Sequence, residues 1–232
     1  MTSNNRSLAL AALLAALVVT PRAEATTMQA ATFDEKVSNA AAIVLGRVVK
    51  KESKWDAGHR WILTYTTFRI EKSFKGVPSQ QEITVVTPGG EVGDVHQDSI
   101  GVPEFAPGSD NVVFIRNSAA GPTVLYFDQG AYDVAKSGND RVVRPVTSDA
   151  VQVDTQRGVA VASEEPRTVQ EFEQAIRGAE KRAIFNRMEL IKRQQQEAEA
   201  SKSFSATLLR YKWLVGLALL GAAVATWQLL RR

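Results

Sequence analysis

The feature that most restricts the fold of this chain is an apolar segment close to its C-terminal end. Residues Trp213 to Leu230 run for eighteen positions without a charge and include only Thr226 and Gln228 as polar residues. A helix of that length rises about 27 Å, close to the roughly 30 Å hydrocarbon core of a bilayer. A helix packed on a globular domain shows a polar face, which this run lacks. The sequence therefore predicts one transmembrane helix over residues 213–230.

The N-terminal end predicts export. Arg6 precedes an apolar run of twelve residues, Leu8 to Val19, and Ala23 and Ala25 place small residues where signal peptidase cleaves. Twelve residues rise only about 18 Å as a helix, too little to span a bilayer. We expect a cleaved signal peptide over residues 1–25 rather than an uncleaved N-terminal anchor.

Together the two ends predict a single-pass protein of the cytoplasmic membrane. An exported N-terminus places the main domain outside, in the periplasm or on the cell surface, and leaves residues 231–232 as a short cytoplasmic end. An apolar helix followed by arginines is also typical of C-terminal sorting tails that are cleaved after export. The short motifs that precede such tails are missing before Trp213, so processing stays an alternative.

Composition excludes several kinds of site. The 232 residues include no cysteine, which rules out disulfides, thiolate-bound zinc, iron–sulfur clusters and cysteine nucleophiles. The formal charge is a modest +3, and no basic run with interleaved aromatics predicts nucleic-acid binding. The sequence also has no phosphate loop, dinucleotide fingerprint or Gly-x-Ser-x-Gly motif. We therefore expect no cofactor, no catalytic residue and no nucleic-acid partner.

Between the two ends the pattern changes from helical to strand-like. Thr32 stands three positions before Glu35, the spacing of a capping box, and predicts a short helix within residues 28–41. From residue 61 to 74 side chains alternate, which places Phe68 on an inward face and Arg69 on the outward one. Further strands are predicted at residues 43–49, 82–87, 111–116, 124–127, 132–135 and 141–144.

A long helix follows the β region. Thr168 and Glu171 have the spacing of a second capping box, and apolar residues then recur at three and four positions. Beyond Met188 the stripe thins, so the helix is interpreted as docking on the domain first and continuing as a polar stalk, without a sustained heptad. The predicted organisation is a β domain at 26–150, a linker at 151–167, the helix and stalk at 168–200 and a juxtamembrane segment at 201–212.

A family resemblance lies in the first predicted hairpin. From Asn39 the chain reads NAAAIVLGRVVKKESKW, a turn and then YTTFRIEKSFKG, which ends at Gly76. This resembles the first hairpin of the netrin-like domain of tissue inhibitors of metalloproteinases and of complement and netrin C-terminal modules, in which the second strand ends in Phe-Lys-Gly. Residues 108–115, GSDNVVFI, are similar to a later Gly-rich passage of that family. The resemblance covers roughly residues 32–135 and extends to bacterial envelope proteins with a signal peptide.

The resemblance implies a mainly β fold. It implies an OB-like five-stranded antiparallel barrel with a short N-terminal helix, here followed by the long helix and the transmembrane helix. It also implies a module that binds protein partners. The inhibitors of that family chelate a protease's zinc through an N-terminal cysteine, whereas this chain has no cysteine and a mature start predicted at Thr26. Inhibition therefore does not transfer, and the implied form is a bacterial envelope protein without cysteines.

The segment with the most site-like composition is residues 88–101, PGGEVGDVHQDSIG. On an extended strand Asp94, His96 and Asp98 share one face, because side chains repeat every two residues. Two carboxylates with an imidazole are able to hold a divalent cation. Their spacing matches no specific metal signature, and the glycines equally suit a tight turn. A metal at these residues therefore stays one alternative beside a binding loop or an ordinary polar loop.

A second candidate surface is the tip of the first predicted hairpin. His59 lies there between two tryptophans, within the turn-forming sequence Asp-Ala-Gly-His. Loops carry binding residues more often than strands do. From the two places together, the predicted partner-binding residues are Trp55, His59, Trp61, Glu91 and His96.

The sequence thus predicts a non-enzymatic cell-envelope protein that presents a β-barrel protein-binding module outside the cytoplasmic membrane, with an unidentified protein as its partner. Two alternatives stay open. The first is a metal-dependent enzyme that uses Asp94, His96 and Asp98. The second is a structural subunit of an envelope assembly, oligomerising through residues 168–200.

Overall fold

A computed structural model describes residues 27–76, 79–146 and 150–230 of the chain. The chain forms two compact units, one up to Ile176 and the other from Arg177 onward. The predicted signal peptide lies outside the described residues. Each unit is described by itself below.

The first unit is mainly β, as predicted, and the described residues contain thirteen strands. These are β1 (Thr27–Gln29), β2 (Ala42–Trp55), β3 (Ile62–Lys75), β4 (Glu82–Pro88), β5 (Gly90–Val92), β6 (Val95–Gln97), β7 (Asp110–Ser118), β8 (Gly121–Val124), β9 (Ala131–Ser137), β10 (Asp140–Pro145), β11 (Val151–Asp154), β12 (Val159–Ala160) and β13 (Arg167–Thr168). A short 3-10 helix spans Phe127–Gly130.

Three α-helices complete the described elements. They are α1 (Phe33–Asn39), α2 (Val169–Arg210) and α3 (Lys212–Leu230). Both predicted capping boxes are confirmed: Thr32 Oγ1 accepts from the backbone N–H of Glu35 at 3.2 Å, and Thr168 Oγ1 accepts from that of Glu171 at 3.2 Å. Each cap satisfies an N-terminal N–H group that a helix leaves without an internal partner.

The predicted five-stranded barrel is wrong. The main sheet has eight strands in the order β13-β10-β9-β7-β2-β3-β4, with β8 paired to β7. Its pairings between neighbours are antiparallel. The sheet curls until β8 comes beside β4, where Thr123 Oγ1 donates to the carbonyl of Val86 at 2.7 Å. No ladder joins β4 to β8 in the described residues, so the sheet does not close.

The predicted linker at 151–167 contains strands instead. β11 pairs in parallel with β1, so that Met28 lies opposite Gln152, and β12 adds to the other edge of β11. Gln129 holds β1 in place, since its side-chain amide accepts from Ala31 N at 2.8 Å and donates to Gln29 O at 2.9 Å. Residues 151–160 therefore belong to the folded unit and form a small second sheet with β1.

The first half of β2 and the middle of β7 are buried on both faces. In β2, Val44 and Val48 belong to a core cluster on one face, while Ile43 and Leu45 are also buried, at 0% and 1% exposure. This explains why these segments read as continuous apolar runs rather than alternating ones. The close pairing of β2 with β3 also explains Gly46, because a Cβ there would lie 2.8 Å from the carbonyl oxygen of Arg69.

Strand β3 has the predicted alternation. Thr64, Thr66 and Phe68 are buried at 5%, 1% and 0% exposure, whereas Arg69 and Glu71 are exposed. Ile70 is partly buried and packs against the same core cluster as Phe68. The inward and outward faces of β3 are therefore those that the sequence predicts.

An aromatic cluster fixes α1 and the start of α2 on the other face of the sheet. Phe172, at 2% exposure, makes edge contacts with four rings. The ring centroids lie at 5.4 Å for Phe33, 6.5 Å for Phe74, 6.2 Å for Phe114 and 4.9 Å for Tyr132. The predicted docking of the first turns of the helix, through Phe172 and Ile176, is consistent with this burial.

A buried polar network lies next to these rings. The ammonium of Lys36, which is 4% exposed, donates to Tyr132 Oη at 2.6 Å and forms an ion pair with Glu164. The Tyr132 hydroxyl donates in turn to Glu164 Oε1 at 3.0 Å. Burial, together with the charge of Glu164, raises the pKa of Tyr132 well above its usual 10.0.

The raised pKa predicts a loss of stability at alkaline pH. Above about pH 10 the unfolded chain releases the Tyr132 proton while the folded chain keeps it, so the free energy of unfolding falls by up to about 1.4 kcal/mol per pH unit. Tyr132→Phe should remove this part of the pH dependence of the free energy of unfolding. Denaturant unfolding of both proteins between about pH 9 and pH 11 measures it, and equal slopes would contradict the assignment.

In the second unit the described residues are helical. No helix within residues 27–76, 79–146 and 150–230 combines the length and the apolar character needed to cross a membrane. The helix α2 is long but rich in charged residues, and α3 has 19 residues. The predicted transmembrane helix and the single-pass membrane location built on it are therefore wrong.

Several large apolar side chains of α2 are exposed in this unit. Ile184, Met188 and Ile191 follow one another at helical spacing and are 62%, 64% and 47% exposed. Phe185 beside them is 64% exposed. Self-association through residues 168–200 stays an alternative.

Candidate functional site

A cavity of the first unit, called the main cleft below, has a volume of about 540 Å³. Four parts of the chain line it: Thr64 and Thr66 of β3, residues 87–90 at the end of β4, residues 96–105, and Asp128 of the 3-10 helix. Lys51 and Val146 complete its wall. The segment that the sequence singles out as site-like, residues 88–101, therefore forms much of one side.

The loop after β6 is anchored at several points. Phe105, 2% exposed, packs edge-on against Phe68 of β3 with ring centroids 5.0 Å apart. The backbone N–H of Asp128 donates to the carbonyl of Gly101 at 2.9 Å, and that of Gly108 donates to the carbonyl of Val48 at 2.9 Å. One wall of the main cleft thus consists of irregular backbone that the core holds in position.

Another part of the lining begins where β4 ends, at two glycines. Gly90 has a φ of +128°, and a Cβ there would lie 2.3 Å from Thr64 Oγ1. Thr64 Oγ1 donates to the carbonyl of Gly89 at 2.6 Å, and the N–H of Gly89 donates to the carbonyl of Ile62 at 2.8 Å. Glycine is needed at residue 90 because β3 and the chain leaving β4 approach each other so closely.

The small β5–β6 hairpin places the predicted acidic and histidine residues. Gly93 and Asp94 form its turn, and Glu91 lies opposite His96 across the two strands. His96 Nε2 is 2.7 Å from Asp98 Oδ1, and both side chains are exposed, at 60% and 88%. In the described residues no three His, Asp or Glu side chains come close enough together to hold a metal ion. His96 and Asp98 are therefore paired, without Asp94 as a third partner.

The floor of the main cleft contains buried polar groups. Thr66 is 1% exposed, and its Oγ1 has no hydrogen-bond partner in the part of the chain that the structure describes. Asp128 is 3% exposed and Thr87 is 5% exposed. A buried hydroxyl without a partner costs about 1–3 kcal/mol relative to a satisfied one. A ligand group that reaches this hydroxyl would remove the cost.

A smaller cavity of about 310 Å³, called the side cavity, adjoins the main cleft. The two share Thr87, Pro88, Val102 and Pro103. Apolar residues dominate the rest of the side cavity, and Phe127 beside it is 50% exposed. The backbone here is strained, since Tyr126 and Phe127 have φ of +53° and +58°, a conformation that costs about 1–2 kcal/mol per non-glycine residue.

The tip of the β2–β3 hairpin holds the other predicted binding residues. The rings of Trp55 and His59 are stacked with centroids 6.0 Å apart, and Trp61 is 57% exposed. Asp56 organises the turn, because its carboxylate accepts from the N–H groups of Trp61 and Arg60, at 3.0 and 2.7 Å. These hydrogen bonds, that of Trp61 first, lower the pKa of Asp56 below its usual value. The tip is thus an ordered, exposed aromatic surface.

The chain was compared with protein-family models, with curated proteins and with solved structures. None of them matches. The netrin-like resemblance of the first hairpin therefore stays a prediction.

The predicted partner-binding residues fall into two groups. Of the five, His96 lines the main cleft, Glu91 lies on the same small hairpin, and the three aromatic residues lie at the β2–β3 tip. A hydrogen bond links the two hairpins, since the N–H of Ile62 donates to Gln97 Oε1 at 2.8 Å. Sequence reasoning missed Thr66, Glu104 and Asp128. For Thr66 a signal exists, because a hydroxyl on the inward face of a predicted strand needs a partner.

Proposed function

We propose that this chain is a non-enzymatic binding protein whose main cleft receives an extended segment of a protein partner. The observation that carries the proposal is the cleft itself. Its volume of about 540 Å³ lies within the roughly 300–1,000 Å³ typical of binding pockets. It is walled by a loop segment, and loops on a rigid scaffold carry binding residues disproportionately.

The continuity of the two cavities favours an extended chain over a compact small molecule. The main cleft and the side cavity share the wall formed by Val102 and Pro103. Successive side chains of an extended segment lie about 3.3 Å apart along the chain, so one segment is able to fill both cavities. Thr66, whose hydroxyl has no hydrogen-bond partner among the described residues, is part of the lining of the main cleft.

Selection from a display library of random peptides on the immobilised full-length chain tests the proposal. We expect the enriched peptides to share a motif. Val102→Trp, which places a large ring in the wall shared by both cavities, should weaken their binding at least about tenfold, or roughly 1.4 kcal/mol. Fluorescence titration with a labelled selected peptide measures the dissociation constant.

The matched control is Val95→Trp. Val95 is 46% exposed on the neighbouring β6 and does not line either cavity. This variant should bind as the parent does, and circular dichroism should show both variants folded. If no peptide is enriched, or if both variants bind equally well, the main cleft is not the binding site.

A further inference from the structure

The charges around the main cleft indicate which kind of side chain it takes. Two exposed acidic residues line it, Asp98 and Glu104, together with the buried Asp128 and one lysine, Lys51. A cleft lined mainly by one sign of charge concentrates field lines and attracts the opposite sign. The exposed charged side chains of this lining carry a net negative formal charge, which favours a cation.

The buried hydroxyl at the floor supplies an independent observation. Thr66 Oγ1 has no hydrogen-bond partner among the described residues, and Thr66 lines the cleft. A hydroxyl oxygen accepts hydrogen bonds, and ammonium and guanidinium groups are donors only. A cationic group at the floor therefore matches both the charge of the lining and the missing partner of Thr66.

The apolar part of the lining suits the rest of such a side chain. Ile100, Val102 and Phe105 stand along the same wall as the carboxylate of Glu104. Lysine and arginine have apolar stems that pack on apolar surface while the charged head reaches polar groups. The wall and floor together match a long side chain with a cationic end.

The side cavity has the opposite character. Arg116 lines it together with Val124, Leu125 and Phe127, and no carboxylate residue does so among the described residues. A cation is repelled there, whereas an apolar side chain is accommodated. The two cavities therefore discriminate between a cationic and an apolar residue of the same segment.

We propose that the main cleft recognises a lysine or arginine side chain of the partner, with a neighbouring apolar residue of the same peptide in the side cavity. The proposal rests on the function proposed above and specifies the chemistry of its ligand. It rests on the charge and shape of two adjoining cavities and on the unpaired floor hydroxyl.

An array of blocked octapeptides, probed with the full-length chain in about 50 mM salt, tests whether the cleft prefers a cationic side chain. One central position carries lysine, arginine, norleucine or glutamate, and an adjacent or alternate position carries phenylalanine, leucine or alanine. We expect lysine and arginine peptides with phenylalanine or leucine to bind best and glutamate peptides to bind worst. Salt at about 500 mM should weaken the binding of cationic peptides by screening.

The double variant Asp98→Asn with Glu104→Gln gives the matched charge test. Both carboxylates are exposed, so folding should be retained. We expect it to lower the affinity for the best lysine peptide by about fivefold or more, since exposed ion pairs contribute about 0.2–1 kcal/mol each. Asp140→Asn, an exposed acid that lines neither cavity, should leave the affinity unchanged.

The outcomes separate the two proposals. If peptides bind and Val102→Trp abolishes binding, but lysine, norleucine and glutamate peptides bind alike, the cationic ligand is overturned and the binding cleft stands. Equal affinity of the double variant and the parent for the lysine peptide also overturns the cationic ligand. If no peptide of the array or of the library binds, both proposals fail.

Discussion

Phe68→Ala is expected to lower the free energy of unfolding by about 3–5 kcal/mol. Phe68 is fully buried in the core cluster of the first unit, and its ring packs edge-on against Phe105 with centroids 5.0 Å apart. The substitution leaves a cavity and also removes the ring that anchors the cleft loop. Peptide binding to the main cleft should therefore weaken in the fraction that still folds. Denaturant unfolding of the full-length chain, followed by circular dichroism, measures the loss.

The neighbouring residues are the controls for this change. Arg69 is exposed, and Arg69→Ala should change stability by less than about 0.5 kcal/mol. Ile70 is partly buried against the same cluster. The loss of stability in Ile70→Ala should therefore lie between those of Phe68→Ala and Arg69→Ala. Tolerance at Phe68, or equal damage at all three positions, would mean that the faces of β3 are assigned wrongly.

Phe172→Ala is also expected to lower the free energy of unfolding by about 3–5 kcal/mol. Its ring contacts those of Phe33, Phe74, Phe114 and Tyr132, and each aromatic pair contributes about 0.5–1.5 kcal/mol beyond the buried area. The substitution removes the side chain that holds α1 and the first turns of α2 on the sheet. Thermal and denaturant unfolding of the full-length chain both report this loss.

Phe185→Ala is the matched control, since it makes the same substitution on the same helix. Phe185 is 64% exposed, whereas Phe172 is 2% exposed. We expect Phe185→Ala to change the free energy of unfolding by no more than about 0.5 kcal/mol. Similar losses for both variants would refute the role of Phe172 as the centre of the aromatic cluster.

Local features of the fold were predictable because their causes are local. A capping box depends on residues three positions apart, and both boxes, at Thr32 and at Thr168, are present. Alternation along β3 follows from the two-residue period of a strand, and Phe68 and Arg69 lie on the predicted faces. The buried first half of β2 was readable from its mostly apolar sequence at residues 43–49.

The arrangement of the sheet was not predictable in the same way. The order β10-β9-β7-β2-β3-β4 places β7 beside β2 although β3 to β6 come between them in sequence. Such pairings depend on contacts between distant residues, which a pattern of single strands does not specify. Strands of only two to four residues, such as β11, carry too little signal to be separated from a linker by sequence alone.

The candidate site was likewise predictable only where its residues are close together in sequence. Residues 88–101 were recognisable from their glycines and charged residues, and they line the main cleft in part. The contributions of Thr66 and Asp128 depend on how β3 and the 3-10 helix meet that segment in the folded unit. The pairing of His96 with Asp98 follows from their spacing, but the position of Asp94 at the hairpin turn follows from the register of β5 with β6.

The location of bound peptide on the chain tests the central claim most directly. Hydrogen–deuterium exchange of the full-length chain, with and without a saturating selected peptide, reports which backbone amides become protected. We predict slower exchange within residues 96–105 and unchanged exchange at the hairpin tip, residues 55–61. Protection confined to the hairpin tip or to α2, with residues 96–105 unaffected, would contradict the assignment of the main cleft as the binding site.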